Sequence, residues 1–284
     1  MMDSRPARYA VIGNPVAHSR SPAIHAMFAQ QTGQQIDYGR VLAPLDGFLA
    51  AVQTFRAEGG HGLNVTVPFK AQAFDYAQRH TPRAAVAGAV NTLVFQADEV
   101  LGDNTDGAGL VSDLQNRLNV SLHGARVLML GAGGAARGVV QPLLEAGVGQ
   151  LSIANRTPAR AEVLCAEVSA RIAPEQARRL AAISLAQAYG RFDLIINATA
   201  AGLSDAAPDI RPEWLSHAAV ALDMVYAAQP TAFMRLAHSA GCPRIEDGLG
   251  MLVGQAAESF ALWRGVRPDV APVYAALRDA LAAH

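Results

Sequence analysis

Residues 126–136 read Arg126-Val127-Leu128-Met129-Leu130-Gly131-Ala132-Gly133-Gly134-Ala135-Ala136. The apolar residues predict a buried strand, and the glycines that follow fit the pattern G-x-G-x-x-A before a helix. Such glycines allow a tight turn and close approach of the backbone to a pyrophosphate, whose charge the helix N-terminus stabilises. The motif alone is weak evidence, but another strand is predicted at 151–155. The stretch therefore predicts a dinucleotide-binding unit with cofactor-binding residues Gly131, Ala132, Gly133, Gly134, Ala135 and Ala136.

The end of that next strand indicates which dinucleotide would bind. NAD-binding units normally carry an acidic residue there, which bonds the ribose hydroxyls, whereas this chain has Asn155-Arg156-Thr157. Arg156 and Arg160 offer planar guanidinium groups that suit a phosphate, and Thr157 can cap the following helix. The alternative is that both arginines are ordinary exposed residues at a helix start. Their position favours NADP over NAD.

The composition indicates a globular protein of one large domain or two ordinary ones. The chain has 284 residues, of which 51% are hydrophobic and 17% charged, and a formal net charge of -1. This balance argues against nucleic acid and membranes as partners, and no stretch approaches the ~18 apolar residues of a membrane-spanning helix. Cys165 and Cys242 match no disulfide framework, and the scattered histidines predict no metal site. Without a signal-peptide pattern, a cytoplasmic location is expected.

Strand-like and helix-like stretches alternate along the chain, as is typical of parallel α/β architecture. The predicted strands are 9–12, 37–41, 62–65, 91–95, 100–103, 126–130, 151–155, 194–197 and 220–224. The predicted helices are 22–31, 48–58, 106–116, 135–145, 158–172, 250–264 and 273–283. Residues 116–124 show no core pattern and precede a new strand, so we expect a domain boundary there.

Lys70 is the only lysine of the chain, beside 22 arginines. A lysine ammonium is a compact donor that suits proton transfer, whereas a guanidinium stays protonated throughout the useful pH range. The alternative is a single lysine placed at the surface without a function. Lys70 follows Asn64-Val65-Thr66-Val67-Pro68-Phe69, an apolar segment closed by a proline where a strand should give way to a helix. We therefore expect Lys70 at a functional site.

Polar clusters follow several predicted strands in the first half of the chain. They are Ser19-Arg20-Ser21-Pro22, the segment from Asn64 to Lys70, Asn91-Thr92, and Asn104-Thr105-Asp106-Gly107. Each has a structural alternative, because Ser21 and Asp106 can cap helices and Asn91 can occupy a turn. Open α/β sheets bind ligands at the carboxyl ends of their strands, so we expect the clusters at one sheet edge. Their hydroxyl, amide, ammonium and carboxylate groups suit a small polyhydroxylated acid.

Taken together, the motifs resemble those of the shikimate dehydrogenases, within the shikimate/quinate dehydrogenase family. The resemblance covers nearly the whole chain in the right order. It runs through residues 9–15 and 18–22, 64–70, 88–92, 102–107, the glycine loop, 155–157, 197–199 and 247–253. Asn-Val-Thr-Val-Pro-Phe-Lys combined with Asn-Thr-Asp-Gly is specific to this family and its quinate-using relatives.

The resemblance implies an α/β protein with a substrate-binding domain, built on a mostly parallel sheet from residues 1–105 and 248–284. An NADP-binding Rossmann domain, residues 106–247, is inserted in it, and the active site is expected in the cleft between the two domains. The implied reaction is the reversible NADPH-dependent reduction of 3-dehydroshikimate to shikimate, in the biosynthesis of chorismate and the aromatic amino acids. The implied substrate-binding residues are Ser19, Ser21, Thr66, Lys70, Asn91, Asp106, Tyr226 and Gln255. The implied cofactor-binding set adds Asn155, Arg156, Thr157, Arg160, Thr199, Met224 and Gly248.

Lys70 and Asp106 are the implied catalytic pair. Negative charge grows on the carbonyl oxygen as hydride arrives, and the ammonium of Lys70 can stabilise and protonate that oxygen. Asp106 can fix the orientation of the lysine side chain. The reverse assignment, with Asp106 as the proton-transfer group, stays open.

Three other functions also stay open. A quinate-using enzyme would often take NAD, which Arg156 disfavours. A methylenetetrahydrofolate dehydrogenase would bind a pterin, which Ser19 and Ser21 do not suit. A non-catalytic NADP sensor would have little reason to keep Lys70 beside Asp106. The oligomeric state is open as well, and a homodimer is compatible with these residues.

Two stretches depart from the family's pattern. Ala200-Ala201-Gly202 occupies a place where a serine is common, and Ala227-Ala228-Gln229-Pro230 lacks a basic residue often found there. Neither change removes a catalytic group. We therefore expect any effect on cofactor affinity rather than on the type of reaction.

Overall fold

A computed structural model of the protein describes residues 6–185, 190–199 and 207–282. The chain divides into two compact units. The first comprises the residues up to Gly109 together with Val253–Ala275, and the second comprises Leu110–Leu252 together with the residues from Ala276 onward. The domain borders expected at residues 105 and 247 lie a few residues before these points, and residues 276–282, expected in the first domain, belong to the second unit. None of the described helices is long and apolar enough to cross a membrane.

The chain up to residue 103 builds a mixed sheet. Its elements are β1 (Ala7–Gly13), α1 (Ser21–Thr32), β2 (Ile36–Leu42), α2 (Phe48–Ala57), β3 (Gly60–Val65), α3 (Lys70–Tyr76), β4 (Arg79–His80), α4 (Pro82–Ala87), β5 (Thr92–Phe95) and β6 (Val100–Asp103). The strand order is β2-β1-β3-β5-β6-β4. Most pairings are parallel, as expected, but β5 is antiparallel to both β3 and β6. This reversal places the start of β5 beside the ends of β3 and β6.

The second unit contains a fully parallel sheet. After α5 (Asp106–Ser112), which continues as a π-helical turn, the chain forms β7 (Arg126–Leu130), α6 (Gly134–Glu145), β8 (Gln150–Ala154), α7 (Pro158–Ser169), α8 (Pro174–Ala177), β9 (Leu180–Ile183), β10 (Leu194–Asn197), α9 (Pro212–His217), β11 (Val220–Asp223), α10 (Ala232–Ser239) and β12 (Ile245–Glu246). The strand order is β12-β11-β10-β7-β8-β9. Parallel strands joined by helices give the doubly wound arrangement of dinucleotide-binding domains. Helices α11 (Leu249–Arg264) and α12 (Ala271–Ala282) follow.

Each sheet has its own apolar core. In the first unit, Ile12, Leu63 and Phe69 are fully buried in one cluster, and in the second Leu128 and Phe233 are fully buried in another. Complete burial of one such side chain contributes about 1.5–3 kcal/mol. The packed core of each sheet therefore holds the strand ends that carry the polar clusters in fixed positions.

The boundary predicted at residues 116–124 is wrong. This stretch lies within the second unit, because Leu118 and Leu122 are buried there and Arg117 forms an ion pair with Glu246 at 3.1 Å. The helix predicted for 106–116 is α5 with its π-helical turn. The helix predicted for 273–283 is α12, whose last predicted residue lies outside the described residues.

Candidate active site

Lys70 and Asp106 meet at the carboxyl edge of the first sheet. Lys70 is the first residue of α3 and Asp106 the first of α5, and the lysine Nζ donates to Asp106 Oδ2 in a close ion pair. The two side chains are 19% and 8% exposed. Phe69, which precedes the lysine, is fully buried and stacks on the Phe48 ring at 5.2 Å. The pair is therefore shielded from water and held on a rigid backbone.

Asn91 fixes the other carboxylate oxygen of Asp106. Its Nδ2 donates to Asp106 Oδ1 at 2.8 Å and to Thr105 Oγ1 at 2.9 Å. Its Oδ1 accepts from the Thr105 backbone N–H and from the Thr92 hydroxyl, both at 2.9 Å. With donors on one end and an acceptor on the other, only one orientation of the amide satisfies all its partners. The carboxylate that faces Lys70 is therefore locked in place.

A buried hydroxyl on α11 supports this arrangement from behind. Ser259 accepts from Asn64 Nδ2 at 2.9 Å and lies 2.8 Å from Thr92 Oγ1. It also donates to the carbonyl oxygen of Gln255 at 3.0 Å. Gln255 Oε1 in turn accepts from Asn91 Nδ2 at 3.4 Å. The helix thus joins the same hydrogen-bonded network as Lys70 and Asp106.

The set of site residues predicted from sequence lacks four members of this network, Asn64, Thr92, Thr105 and Ser259. Asn64, Thr92 and Thr105 lie inside the polar motifs of the sequence, but the motifs assign their side chains no role. Ser259 has a weak signal, because it follows Gln255 by four residues and therefore shares its face of a largely apolar helix.

The reversed strand explains why these groups come together. The sequence predicts that each polar cluster follows a strand, but Asn91 precedes β5 and Thr92 begins it. In an all-parallel sheet the start of β5 would lie at the opposite edge from the ends of β3 and β6. Because β5 is antiparallel to both, Asn91 lies beside Asn64 and Thr105 instead.

Ser19, Ser21 and Thr66 lie at the same edge. Ser19 Oγ donates to Ser21 Oγ at 3.2 Å in the turn before α1. The Thr66 N–H donates to the Ile12 carbonyl at 2.9 Å, and a Cβ at Gly13 would lie 2.3 Å from Thr66 Cγ2. Glycine at that position lets the two strand ends approach. Tyr226, also predicted to bind substrate, belongs to the second unit and follows β11.

A buried ion pair holds the loop that carries Asp106. Arg83 donates to both oxygens of Asp103, at 2.7 and 2.5 Å, and Asp103 also accepts from the Asn104 N–H at 2.7 Å. Burial raises the pKa of Asp103, but the hydrogen bonds and charge of Arg83 outweigh it and hold that pKa below its usual value. The carboxylate stays charged and keeps the turn in place.

The glycine loop of the second unit combines one tightly packed glycine with two exposed ones. Gly131 has φ +108°, and a Cβ there would lie 2.9 Å from the Ala198 backbone. By contrast, Gly133 and Gly134 are exposed, and a Cβ at either would meet nothing within 4 Å. Open space therefore lies over the N-terminus of α6, which suits a pyrophosphate. Ala132, Ala135 and Ala136 complete the loop.

Other predicted cofactor residues lie at the ends of neighbouring strands. Thr199 Oγ1 donates to Asn197 Oδ1 at 2.7 Å, and the Met224 N–H donates to the Asn197 carbonyl at 2.9 Å. A Cβ at Gly248 would lie 2.2 Å from the Met224 carbonyl oxygen, so this residue must be glycine. All three positions therefore gather at one edge of the sheet.

Beyond β8 the chain presents an exposed basic segment. Asn155 Nδ2 donates to the Thr157 carbonyl at 2.9 Å, while Arg156 and Arg160 are exposed. Such guanidinium groups can receive a phosphate. The departure at Ala200-Ala201-Gly202 lies outside the described residues, and the one at 227–230 lies just before α10. Among the described residues, no group of three or more His, Cys, Asp or Glu side chains is arranged to hold a metal ion.

Family models match the chain in three successive stretches. These are the shikimate dehydrogenase substrate binding domain at residues 11–93, shikimate/quinate 5-dehydrogenase at 113–206, and the shikimate 5'-dehydrogenase C-terminal domain at 248–278. A relative from Aromatoleum aromaticum named shikimate dehydrogenase (NADP(+)) is 56% identical over 275 residues, which cover 96% of this chain and 98% of that protein. The chain belongs to the shikimate dehydrogenase family.

Solved structures of similar proteins agree with this family assignment. An Ael1 enzyme from Pseudomonas putida is 45% identical with a TM-score of 0.89, covering 95% of this chain and 98% of that one. Shikimate 5-dehydrogenase from Thermus thermophilus, in complex with NADP(H) and shikimate, is 35% identical with a TM-score of 0.84, covering 96% and 99%. The resemblance predicted from the motifs is confirmed, and the methylenetetrahydrofolate dehydrogenase alternative is wrong.

Proposed function

We propose that this member of the shikimate dehydrogenase family catalyses the reversible NADPH-dependent reduction of 3-dehydroshikimate to shikimate, with Lys70 and Asp106 as its acid–base pair. The protein is an NADP-dependent oxidoreductase that acts on a CH–OH group. The observation that carries the assignment of the pair is the shielded Lys70–Asp106 contact, held by Asn91.

The pair accounts for the movement of the proton. Bound NADPH supplies a hydride to the carbonyl carbon of the substrate. The carbonyl oxygen then takes a proton from the Lys70 ammonium and becomes a hydroxyl, leaving a neutral amine. In the oxidative direction the neutral amine accepts the hydroxyl proton. Asp106 keeps Nζ directed at the reacting oxygen.

The remaining residues position the two ligands. Ser19 and Ser21 bind the substrate carboxylate, and the other substrate residues bind its hydroxyls or help to close around it; these are Thr66, Asn91, Tyr226 and Gln255. The glycine loop receives the pyrophosphate, Arg156 and Arg160 receive the additional phosphate of NADP, and Thr199, Met224 and Gly248 support the nicotinamide half. The first unit is then the substrate-binding domain and the second the NADP-binding domain.

The experiment follows the absorbance of NADPH at 340 nm with shikimate and NADP as substrates. Wild-type protein should reduce NADP, and Asp106→Asn should lower kcat by ~10²-fold or more, because the amide keeps the shape but loses the charge that holds the ammonium. Asp75→Asn is the matched control, since Asp75 is exposed on α3. Absence of turnover by the wild type contradicts the function. An unchanged kcat in Asp106→Asn removes this residue from the mechanism.

A further inference from the structure

Arg40 contacts the turn that carries Ser19 and Ser21 in the first unit, here called the serine turn. Its Nη2 donates to the backbone carbonyl of Ser19 at 2.7 Å, and Ser19 Oγ donates to Ser21 Oγ at 3.2 Å. The Ser21 N–H donates back to Ser19 Oγ at 3.3 Å. Within the part of the chain that the structure describes, Arg40 forms no ion pair. A guanidinium whose charge no carboxylate neutralises therefore lies beside two hydroxyls.

The position of Tyr38 shows that Arg40 lies on the same face of the first sheet as the buried polar network. Tyr38 and Arg40 are two residues apart on β2, so their side chains lie on the same face of the sheet. The Tyr38 hydroxyl donates to Asn64 Oδ1 at 2.7 Å. Burial raises the pKa of Tyr38, and a hydrogen bond with Ser21 and the positive charge of Arg40 oppose that rise. Tyr38 thus links the serine turn to Asn64.

We propose that Arg40 determines the preference of this site for a substrate that carries a carboxylate, by supplying positive charge beside Ser19 and Ser21. The inference rests on the proposed function, in which these two serines bind the substrate carboxylate. Two neutral hydroxyls can donate hydrogen bonds to an acid, an ester or an amide, and the charged carboxylate accepts them more strongly. A positive charge beside the hydroxyls widens this difference in favour of the acid, and the hydrogen bond to the Ser19 carbonyl fixes where that charge lies.

Arg20 is the competing source of charge, because it lies between the two serines in sequence. It occupies the N-cap position of α1, and its side chain makes no capping hydrogen bond. Nothing in the described residues therefore directs its guanidinium toward the hydroxyls. Arg40, by contrast, is held to the turn by a hydrogen bond of good length.

The experiment compares shikimate with its uncharged methyl ester as substrates for oxidation by NADP. For Arg40→Met we expect kcat/KM for shikimate to fall about fivefold, mainly through KM, because an exposed cation contributes modestly to binding. The value for the ester should change by less than about twofold. Arg40→Lys, which keeps the charge, should retain most of the preference for the acid. Added salt should weaken the preference in the wild type more than in Arg40→Met.

The controls separate this charge from a general effect. Arg56→Met removes a guanidinium that also donates to backbone carbonyls, those of Gln96 and Ala97, and should leave the preference intact. Equal losses for acid and ester in Arg40→Met would mean that Arg40 merely supports the turn, and would overturn the inference. A loss of preference in Arg20→Met instead would assign the charge to Arg20 and overturn it too. A wild type that oxidises neither compound contradicts the proposed function itself.

Discussion

The candidate site of the first unit is made of side chains that satisfy one another, whereas that of the second unit is made of backbone left open. Asp106 has a partner on each carboxylate oxygen, Lys70 and Asn91. Gly133 and Gly134 are exposed beside open space at a helix N-terminus. Proton transfer needs a geometry fixed in advance, while an anion needs N–H groups that nothing else occupies. The two chemistries therefore impose opposite demands on local packing.

Replacement of Lys70 tests the first half of this comparison and should give the largest effect. Lys70→Ala should lower kcat by ~10²–10⁴-fold, equivalent to roughly 3–5 kcal/mol, because the proposed proton donor is lost. Lys70→Arg should be nearly inactive as well, since charge persists but the compact titratable donor does not. Steady-state kinetics at 340 nm measures both.

NADP affinity and thermal unfolding provide the reference for these variants. NADP affinity should remain near the wild-type value, because the change lies outside the nucleotide loop, and thermal unfolding checks that the variant is folded. Arg79→Ala, which removes an exposed ion pair with Glu99 in the same unit, should leave kcat unchanged. A Lys70→Ala variant with a near-normal kcat would exclude the lysine from catalysis.

The titration of His25 tests how far water is excluded from the interior beside the candidate site of the first unit. It is fully buried and stacks on Tyr38 at 4.2 Å, and burial lowers its pKa to about 3, with Asn64 opposing the shift only in part. Above about pH 6.5 the ring is neutral in both states. Below it the unfolded chain gains a proton that the folded protein does not, so stability should fall by roughly 1 kcal/mol per pH unit down to about pH 3.

The measurement is urea unfolding between pH 7 and pH 4.5. His25→Phe keeps an aromatic ring but removes the titrating group, so its stability should depend less steeply on pH than that of the wild type. His61→Phe, at an exposed position in the same unit, should keep the wild-type slope. Equal slopes in wild type and His25→Phe would mean that water reaches this ring.

Two glycines of the nucleotide loop should respond differently to the same change. Gly131→Ala should destabilise the protein by about 1–3 kcal/mol, because φ is +108° and the added Cβ meets the Ala198 backbone. Gly133→Ala has an ordinary φ of -86° and open space, so its stability should be unchanged while NADP binds more weakly. Thermal unfolding and NADP titration separate the two. Unimpaired NADP binding by Gly133→Ala would show that the open space is not the pyrophosphate site.

Arg156→Ala should give a much smaller effect than Lys70→Ala. The preference for NADP over NAD in kcat/KM should fall about tenfold, because one charge-assisted contact with the phosphate is lost. Arg178→Ala, another exposed arginine of the same unit, serves as the control. If the preference survives in Arg156→Ala, the account of cofactor choice given by residues 155–160 is wrong.

The two regions also differ in how far the sequence predicts them. The nucleotide loop is contiguous, so the sequence pattern alone predicts Gly131–Ala136 between a strand and a helix. Lys70 and Asp106 are predicted from their motifs and the family resemblance, but most of the side chains that hold them are not. Asn91 is predicted as a site residue, but its contact with Asp106 depends on the antiparallel direction of β5, and a short apolar strand carries no signal of its direction. Ser259 joins the same network from α11, a helix that is far from these motifs in sequence.

Because the chain has a single lysine, the side chain that pairs with Asp106 can be modified selectively. A reagent that acylates amines can modify one side chain only, apart from the α-amino group of the chain. The lysine is 19% exposed and bound to a carboxylate, so its reaction should be slow in the intact protein. The rate of this reaction would then report how often that contact opens, and a substrate that binds the amine, as proposed, should protect it at saturation.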